Sequence, residues 1–201
     1  MKKGSLEIIC GSMFSGKTEE LMRRLKRSEF AKQGVLTIKH KIDNRSGYTC
    51  ISSHNGNKRE AHSIENSVES ISKILALVDE KTTVIGIDEI QFFPREIIGV
   101  ICELVKKGKK VIAAGLDLDF RGEPFGIMPT LLAIADNITK LHAICIQCGD
   151  DASISQRIVD GKPAKYNDPI IMVGASEHYE ARCRGCFSID ITPGIFSFNQ
   201  N

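Results

Sequence analysis

The chain has 201 residues, of which 42% are hydrophobic and 26% are charged, fractions typical of globular proteins. This composition excludes the disordered, collagen-like and coiled-coil classes. The 27 Lys and Arg residues nearly balance the 25 Asp and Glu residues, so the net charge is +2 and we expect no nucleic-acid polymer as a partner. No apolar run approaches the length of about 20 residues that crosses a bilayer, and the apolar stretch after Met1 is too short for a signal peptide. These patterns predict a cytoplasmic protein without a membrane partner.

Apolar strands alternate with helical patterns along most of the chain. Runs rich in Val and Ile separated by helices indicate an α/β fold with a parallel sheet covered on both faces. After Cys145 the pattern changes to short, turn-rich pieces. We therefore expect an α/β domain over residues 1–143, a small module over 144–192 and a tail over 193–201. The pattern predicts strands at 6–10, 35–38, 83–87, 110–114 and 138–145, and helices at 17–33, 64–78, 94–108 and 129–135.

A glycine-rich motif follows the first predicted strand. Residues 11–18 match the pattern G-x-x-x-x-G-K-[ST], in which backbone N–H groups and the following helix N-terminus surround phosphates. The lysine of the pattern reaches the terminal phosphates, and its last hydroxyl binds Mg²⁺. A plain turn before a helix is the alternative, but the strand before and the helix after favour a P-loop NTPase-like fold. The predicted nucleotide-binding residues are Gly11, Ser12, Met13, Phe14, Ser15, Gly16, Lys17 and Thr18.

Two carboxylates follow another buried strand, at Asp88 and Glu89. Phosphoryl-transfer sites of this class hold Mg²⁺ with a carboxylate beside the phosphate loop, so we assign Asp88 to the metal together with Thr18. Glu89 points elsewhere in an extended chain and suits a general base. Acidic residues at a solvated strand end are the alternative, which the upstream motif disfavours.

Aromatic residues are scarce but concentrated beside the predicted site. The chain has no Trp, yet Phe92, Phe93, Phe120 and Phe125 fall in the two loops that follow neighbouring predicted strands. Stacking on a flat base explains this placement. Ordinary loop packing is the alternative.

Four of the seven cysteines form two Cys-x-x-Cys pairs. Four thiolates complete a tetrahedral zinc shell without an open position, which predicts a structural metal. A redox pair or a nucleic-acid-binding ribbon are the alternatives, and the paired spacing and low net charge disfavour them. Cys10, Cys50 and Cys102 have no partners by spacing. The predicted zinc ligands are Cys145, Cys148, Cys183 and Cys186.

Taken together, these motifs resemble the type II, zinc-containing thymidine kinases. The resemblance rests on residues 11–18, 88–93 and 115–126, and on the two cysteine pairs with residues 173–174 and 179–186. It implies transfer of the ATP γ-phosphate to the 5′-hydroxyl of thymidine, and of deoxyuridine, with Mg²⁺, in nucleotide salvage. It also implies a homotetramer inhibited by deoxythymidine triphosphate (dTTP), and a loop between the cysteine pairs that covers the substrate.

The resemblance also implies roles for individual residues. Glu89 is the expected general base, Arg45 lies near the transferred group, and Asp88 and Gln91 join the nucleotide site. Ser155 stands where the family has threonine, Ile154 where it has an aromatic residue and Ala175 where it has a second glycine. The residues implied to enclose the nucleoside are Met13, Phe92, Leu116, Phe120, Phe125, Ser155, Ile171, Met172, Val173, Gly174 and Tyr179.

Other phosphate chemistries fit the sequence less well. A GTPase needs an Asn-Lys-x-Asp motif late in the fold, whereas the nearest string, at residues 57–60, ends in glutamate and comes too early. A zinc-bearing P-loop ATPase that acts on a macromolecule remains the alternative. A short chain of low net charge leaves little room for the coupling domains and basic surfaces that such an ATPase needs.

Overall fold

The structure, a computed structural model, describes residues 3–42, 49–52, 56–171 and 177–190. Within these residues no helix is both long and apolar enough to cross a membrane. The helices are α1 (Lys17–Phe30), α2 (Val68–Leu77), α3 (Ile97–Lys106) and α4 (Met128–Ile134). The strands are β1 (Ser5–Gly11), β2 (Gly34–His40), β3 (Cys50–Ser52), β4 (Lys58–Glu60), β5 (His62–Ile64), β6 (Thr82–Asp88), β7 (Lys110–Gly115), β8 (Asn137–Leu141), β9 (Ala143–Ile144), β10 (Asp151–Ala152), β11 (Ile154–Val159), β12 (Lys162–Pro163) and β13 (Glu177–Arg182).

A six-stranded sheet in the order β5-β2-β6-β7-β1-β8 forms the centre of the protein. All its pairings are parallel, as expected for strands joined through helices. In β1, Ile9 pairs with Ala114 of β7, and in β2, Ile38 pairs with Ile87 of β6. The predicted α/β fold with a parallel sheet is therefore confirmed.

Helices cover both faces of this sheet, because alternate residues of each strand point to opposite sides. On one face, Leu21 and Leu25 of α1 pack on Val84 and Ile112. Gly86 admits this close approach, since a Cβ there would lie 2.5 Å from Leu25 Cδ1. The other face carries the larger core, to which α2, α3 and α4 contribute. The functional groups are consequently confined to the strand ends.

The C-terminal part is built from smaller sheets. Strands β9 and β10 pair antiparallel, and β11 lies between β12 and β13. Its hydrophobic cluster consists of small buried side chains, namely Ala143, Cys145, Ala152 and Ala181. Such a cluster buries little apolar area, so this part depends on other interactions for its order.

Two predicted elements end differently in the structure. The helix predicted over residues 64–78 begins only at Val68, because Ser67 is its N-cap and accepts a hydrogen bond from the Ser70 N–H at 3.1 Å. Ile64, the first residue of the predicted helix, is instead the last residue of β5, which pairs with β2. The strand predicted over 138–145 divides in two, because Ala143 and Ile144 pair with β10 instead of β1. The domain division near residue 143 stays a prediction.

Candidate functional site

The carboxyl ends of β1, β6 and β7 lie side by side in the sheet. Open α/β sheets bind ligands at this edge. The glycine-rich loop follows β1, Glu89 follows β6 and residues 116–126 follow β7. The topology therefore brings the three candidate segments of the sequence together.

The glycine-rich loop, residues 11–18, is closed by hydrogen bonds to its own backbone. Gly11 has φ 142°, and a Cβ there would lie 2.2 Å from the Leu141 carbonyl oxygen, so a larger residue does not fit. The Ser12 carbonyl accepts hydrogen bonds from Ser15 Oγ at 2.8 Å and from Lys17 Nζ at 2.7 Å. The Lys17 ammonium is thus held against the backbone of the loop.

Thr18 and Asp88 meet across the gap between α1 and β6. Thr18 Oγ1 donates to Asp88 Oδ2 at 3.1 Å, and Asp88 is buried with 2% exposure. A hydroxyl and a carboxylate beside a phosphate loop are the protein ligands that Mg²⁺ takes in this class of site. The predicted pair of Mg²⁺ ligands therefore fits the ion chemically.

Glu89 adopts a left-handed backbone conformation with φ 53° and ψ 42°. This conformation costs a residue with a side chain about 1–2 kcal/mol, and it turns the chain away from the sheet directly after Asp88. Gln91 Nε2 donates to the Glu89 carboxylate at 2.7 Å, and Gln91 Oε1 accepts from the Leu116 N–H at 3.1 Å. The Gln91 amide therefore fixes the Glu89 carboxylate relative to the loop after β7, whereas its predicted contact with the nucleotide stays a prediction.

A buried histidine lies at the end of β2, next to the strand that carries Glu89. The His40 ring packs edge-on against Phe93 with centroids 4.9 Å apart, and its Nδ1 accepts a hydrogen bond from the Ile42 N–H at 3.1 Å. Burial lowers the pKa of His40 below its ordinary value, and the charge of Glu89 opposes that shift. The imidazole is consequently neutral at physiological pH.

The aromatic residues have different surroundings. Phe92 and Phe125 pack edge to face with centroids 5.6 Å apart, so these two rings bring the loops after β6 and β7 together. Phe93 belongs to the main core and does not contribute to the strand-end surface. Phe120 is also buried. The guanidinium of Arg157, which belongs to the C-terminal part of the protein, packs on its ring.

The segment after β7 is shaped by a buried carboxylate. Asp119 is 2% exposed and accepts hydrogen bonds from the Arg121 N–H at 2.8 Å and the Arg121 Nε–H at 2.9 Å. The Glu123 N–H donates to the same carboxylate at 3.2 Å. These bonds close residues 116–126 into a compact loop, which holds Phe120 and Phe125 at the site.

The C-terminal part contacts the glycine-rich loop through two hydrogen bonds. Ser12 Oγ donates to the Ala152 carbonyl at 3.1 Å, and Ser155 Oγ accepts from the Met13 N–H at 2.9 Å. The Ser12 side chain thus faces the C-terminal part. Phe14, by contrast, points into solvent with 53% exposure. The loop is therefore braced by residues that the sequence places far away in the chain.

Four cysteines are placed to bind a metal. The Sγ atoms of Cys145, Cys148, Cys183 and Cys186 lie within 4.8 Å of one another. Zinc–sulfur bonds of about 2.3 Å in a tetrahedron separate the sulfur atoms by about 3.8 Å, and Cys148 and Cys183 are 3.6 Å apart. The donor set and its spacing therefore fit zinc.

One thiol of this group favours its metal-binding form. Burial opposes ionisation of Cys145, but hydrogen bonds from backbone N–H groups, above all that of Cys183, outweigh it and lower the pKa of Cys145 to about 6. Although a hydrogen bond from the Asp150 N–H opposes it, hydrogen bonds with the other three cysteines raise the pKa of Cys148 to about 12, so the protons are unevenly shared within the cluster. Burial instead raises the pKa of Cys10 to about 11, as expected of a core thiol.

Several predicted residues lie outside the described part of the chain, namely Arg45, Met172, Val173 and Gly174. Ile171, the last described residue before Met172, is 46% exposed. Tyr179 lies on β13, and its ring is 6.0 Å from the Arg157 guanidinium carbon. The roles predicted for these residues stay predictions.

A family comparison agrees with this geometry. The family model described as thymidine kinase matches residues 4–187. The chain belongs to the thymidine kinase family. Its four-cysteine group fits the zinc-containing, type II subgroup.

This thymidine kinase family member also has buried polar residues near the site that the sequence did not reveal. His40 was one of several scattered histidines, and its place beside Glu89 follows only from the order of β2 and β6 in the sheet. Lys39 is fully buried, and its Nζ donates to the Cys50 carbonyl at 2.8 Å. Arg157 is likewise fully buried, and in the sequence it looks like any exposed strand residue.

Proposed function

We propose that the chain is a type II thymidine kinase that transfers the γ-phosphate of ATP to the 5′-hydroxyl of thymidine and gives thymidine monophosphate (dTMP) and ADP. The observation that carries this proposal is the group formed by Thr18, Asp88 and Glu89. A Mg²⁺-type pair lies beside the glycine-rich loop, and the next residue presents a carboxylate held by Gln91. This arrangement supports transfer to a hydroxyl, since it places two ligands for one Mg²⁺ ion next to a carboxylate that can act as a base.

Glu89 is the general base of the proposed reaction. Its carboxylate accepts the 5′-hydroxyl proton as the nucleoside oxygen forms a bond to the γ-phosphorus. The bond between that phosphorus and the β,γ-bridging oxygen breaks, and ADP leaves. Glu89 suits this role because Gln91 fixes its position, and a general base must lie within hydrogen-bond reach of its proton.

The glycine-rich loop and its neighbours bind the triphosphate. The N–H groups at the start of α1 and the Lys17 ammonium are donors of the kind that stabilise the charge on transferred phosphoryl groups. A Mg²⁺ ion held by Thr18 and Asp88 supplies further neutralisation of that charge. We assign Arg45 to the same task on the strength of the family pattern.

The aromatic loops and the C-terminal part enclose the nucleoside. Phe92 and Phe125 offer ring surfaces for the base and sugar, and Phe120, buried against the Arg157 guanidinium, supports the wall of the same pocket. We assign Leu116, Met13, Ser155 and Tyr179 to this pocket on the strength of the family pattern. Backbone groups of residues 171–174 read the edge of the base. Deoxyuridine lacks one methyl group, which is worth about 1–3 kcal/mol in a pocket, so it is the expected second substrate.

The remaining assignments concern the assembly of the enzyme. We propose that zinc bound by the four cysteines is structural, since four thiolates leave no coordination position for a substrate. We also propose a cytoplasmic homotetramer of nucleotide salvage that is inhibited by dTTP. Neither a nucleic-acid polymer nor a membrane is an expected partner.

One assay tests the proposal. The purified chain is supplied with ATP, Mg²⁺ and each nucleoside in turn, and ADP release and nucleotide product are measured. Thymidine and deoxyuridine should be phosphorylated, with little turnover of purine nucleosides. ATP hydrolysis that ignores nucleosides and responds to nucleic acid or to another protein would instead identify an ATPase that acts on a macromolecule.

A further inference from the structure

We infer that Arg157 positions the segment that covers the nucleoside and thereby determines nucleoside affinity, an inference that rests on the proposed function. This arginine lies in the middle of β11, between the two cysteine pairs, and is fully buried. Burying a guanidinium is costly unless its donors are satisfied. Its contacts therefore indicate what the buried charge does.

The guanidinium holds the backbone of the segment that precedes residues 171–174. Both of its terminal nitrogens donate to the Pro169 carbonyl at 2.8 Å, and one also donates to the Ile170 carbonyl at 3.3 Å. Hydrogen bonds from a charged donor are stronger than those between neutral groups. One side chain thus fixes two consecutive peptide groups at the start of the covering segment.

The same guanidinium contacts the aromatic wall of the site. Its central carbon lies 3.5 Å from the centroid of the Phe120 ring and 6.0 Å from that of Tyr179. A planar cation above an aromatic face is attracted by it. Because Arg157 contacts Phe120 and Pro169 together, it sets the distance between the ring wall and the covering segment.

A second contact supports the other end of this segment. Tyr166 Oη donates to Glu123 Oε1 at 2.5 Å, and the guanidinium carbon of Arg121 lies 5.3 Å from the Tyr166 ring. This contact lies nearer the surface, since the Glu123 side chain is 45% exposed. Of the two contacts, the buried one is therefore that of Arg157 with Pro169 and Ile170.

Lysine cannot replace this arginine. An ammonium is a compact charge that neither stacks as a plane on Phe120 nor reaches two carbonyls from a rigid fork. In Arg157→Lys we expect the KM for thymidine to rise about ten- to a hundredfold, as for the loss of one or two charge-assisted hydrogen bonds. The KM for ATP and the zinc content should stay at wild-type values, because the triphosphate site and the cysteines keep their contacts.

The experiment compares Arg157→Lys with Arg24→Lys. Arg24 also donates to several side chains, among them Glu7 at 2.9 Å, but lies on α1 away from the covering segment, so its variant should keep the wild-type KM for thymidine. Hydrogen exchange of residues 165–171 is measured in parallel, and it should be faster in Arg157→Lys alone. A wild-type KM for thymidine in Arg157→Lys, or equal rises in both KM values, would overturn the inference.

A second variant covers the case in which Arg157→Lys does not fold. Phe120→Leu removes the ring that Arg157 stacks on while keeping both carbonyl contacts available, so the exchange of Ile170 and Ile171 should become faster. Because Phe120 itself belongs to the proposed pocket, only the exchange is used here, and unchanged exchange would overturn the inference. If the wild type phosphorylates no nucleoside, the proposed function fails. If the wild type is active and the variants keep its KM for thymidine and its hydrogen exchange, only the role inferred for Arg157 fails.

Discussion

The glycine-rich loop and the covering segment hold their shapes by different means. The loop grows out of the central sheet, and its Ser12 carbonyl collects hydrogen bonds from Ser15 and Lys17 within the loop itself. Residues 164–171, which lead into the covering segment, follow β12 in the small C-terminal sheet and are held by distant groups, Arg157 at Pro169 and Glu123 at Tyr166. The first region therefore combines bonds within the loop with two long-range contacts to the C-terminal part, whereas the second depends on long-range contacts.

This difference teaches where the two halves of the site are vulnerable. A large core supports the loop and Glu89, so substitutions there should change chemistry while leaving the fold intact. The C-terminal cluster is small, so loss of its metal or its arginine should change substrate binding through disorder. Each prediction below tests one side of that contrast.

The largest effect is expected for Glu89→Gln. We expect kcat to fall by about 10²–10⁴-fold, as for the loss of a general base, while the KM for ATP and the thermal unfolding temperature stay unchanged. Steady-state kinetics and calorimetry measure these quantities. Glu96→Gln, an exposed change a few residues along the chain, serves as the control, and wild-type turnover in Glu89→Gln would refute the assignment.

The next effect concerns the triphosphate side of the site. Lys17→Ala should raise the KM for ATP by about ten- to a hundredfold, because a charged hydrogen-bond donor to the phosphates is lost. The equilibrium binding of thymidine, measured by calorimetry, should change little. Lys26→Ala on the outer face of the same helix is the control. Equal losses for both ligands would mean that the two halves of the site are not separable in this way.

Removal of the metal tests the other side of the contrast. We expect metal analysis of the freshly purified protein to find zinc, and Cys148→Ser should lose it. The KM for thymidine should then rise about tenfold, since reordering even one residue costs about 1–2 kcal/mol. ATP binding should remain. Cys102→Ser, an exposed cysteine of α3, should keep both zinc and activity. Full thymidine affinity in a zinc-free protein would contradict a structural role for the metal.

The smallest effect is a pH dependence of stability through His40. Its pKa is lowered in the folded protein, so below about pH 6.5 the unfolded chain binds a proton that the native state does not. The free energy of unfolding should fall as the pH drops from 6.5 towards the lowered pKa. In His40→Asn, whose amide oxygen can accept the Ile42 N–H bond, this fall should be smaller in urea titrations at several pH values. Identical pH profiles would show that His40 does not contribute.

The sequence predicted the parts of the site that depend on neighbours in the chain. The glycine-rich loop, the Asp88-Glu89 pair and the cysteine pairs each have fixed local spacing, and the structure brings the first two together at one edge and the cysteines into one cluster. The parallel sheet followed from the alternation of strands and helices. Local chemistry was sufficient for all of these.

The parts that were not predicted depend on strand order and burial. The β5 strand was not predicted and its last residue, Ile64, was assigned to the following helix, because three residues that pair with β2 carry no signal of their own. The positions of His40 beside Glu89 and of Arg157 beneath Phe120 require the tertiary arrangement. In a strand of mixed polarity, the local sequence does not distinguish a fully buried arginine from an exposed one.

The hydrogen bonds from Ser12 to Ala152 and from Met13 to Ser155 join the glycine-rich loop to the C-terminal part. If nucleoside binding orders the C-terminal strands, these bonds are the route by which it would act on the proposed triphosphate site. Thermodynamic linkage makes such an effect reciprocal. If thymidine increases the affinity for ATP by some factor, ATP increases the affinity for thymidine by the same factor. Two serine hydroxyls are thus the contacts through which the two proposed ligand sites can influence each other.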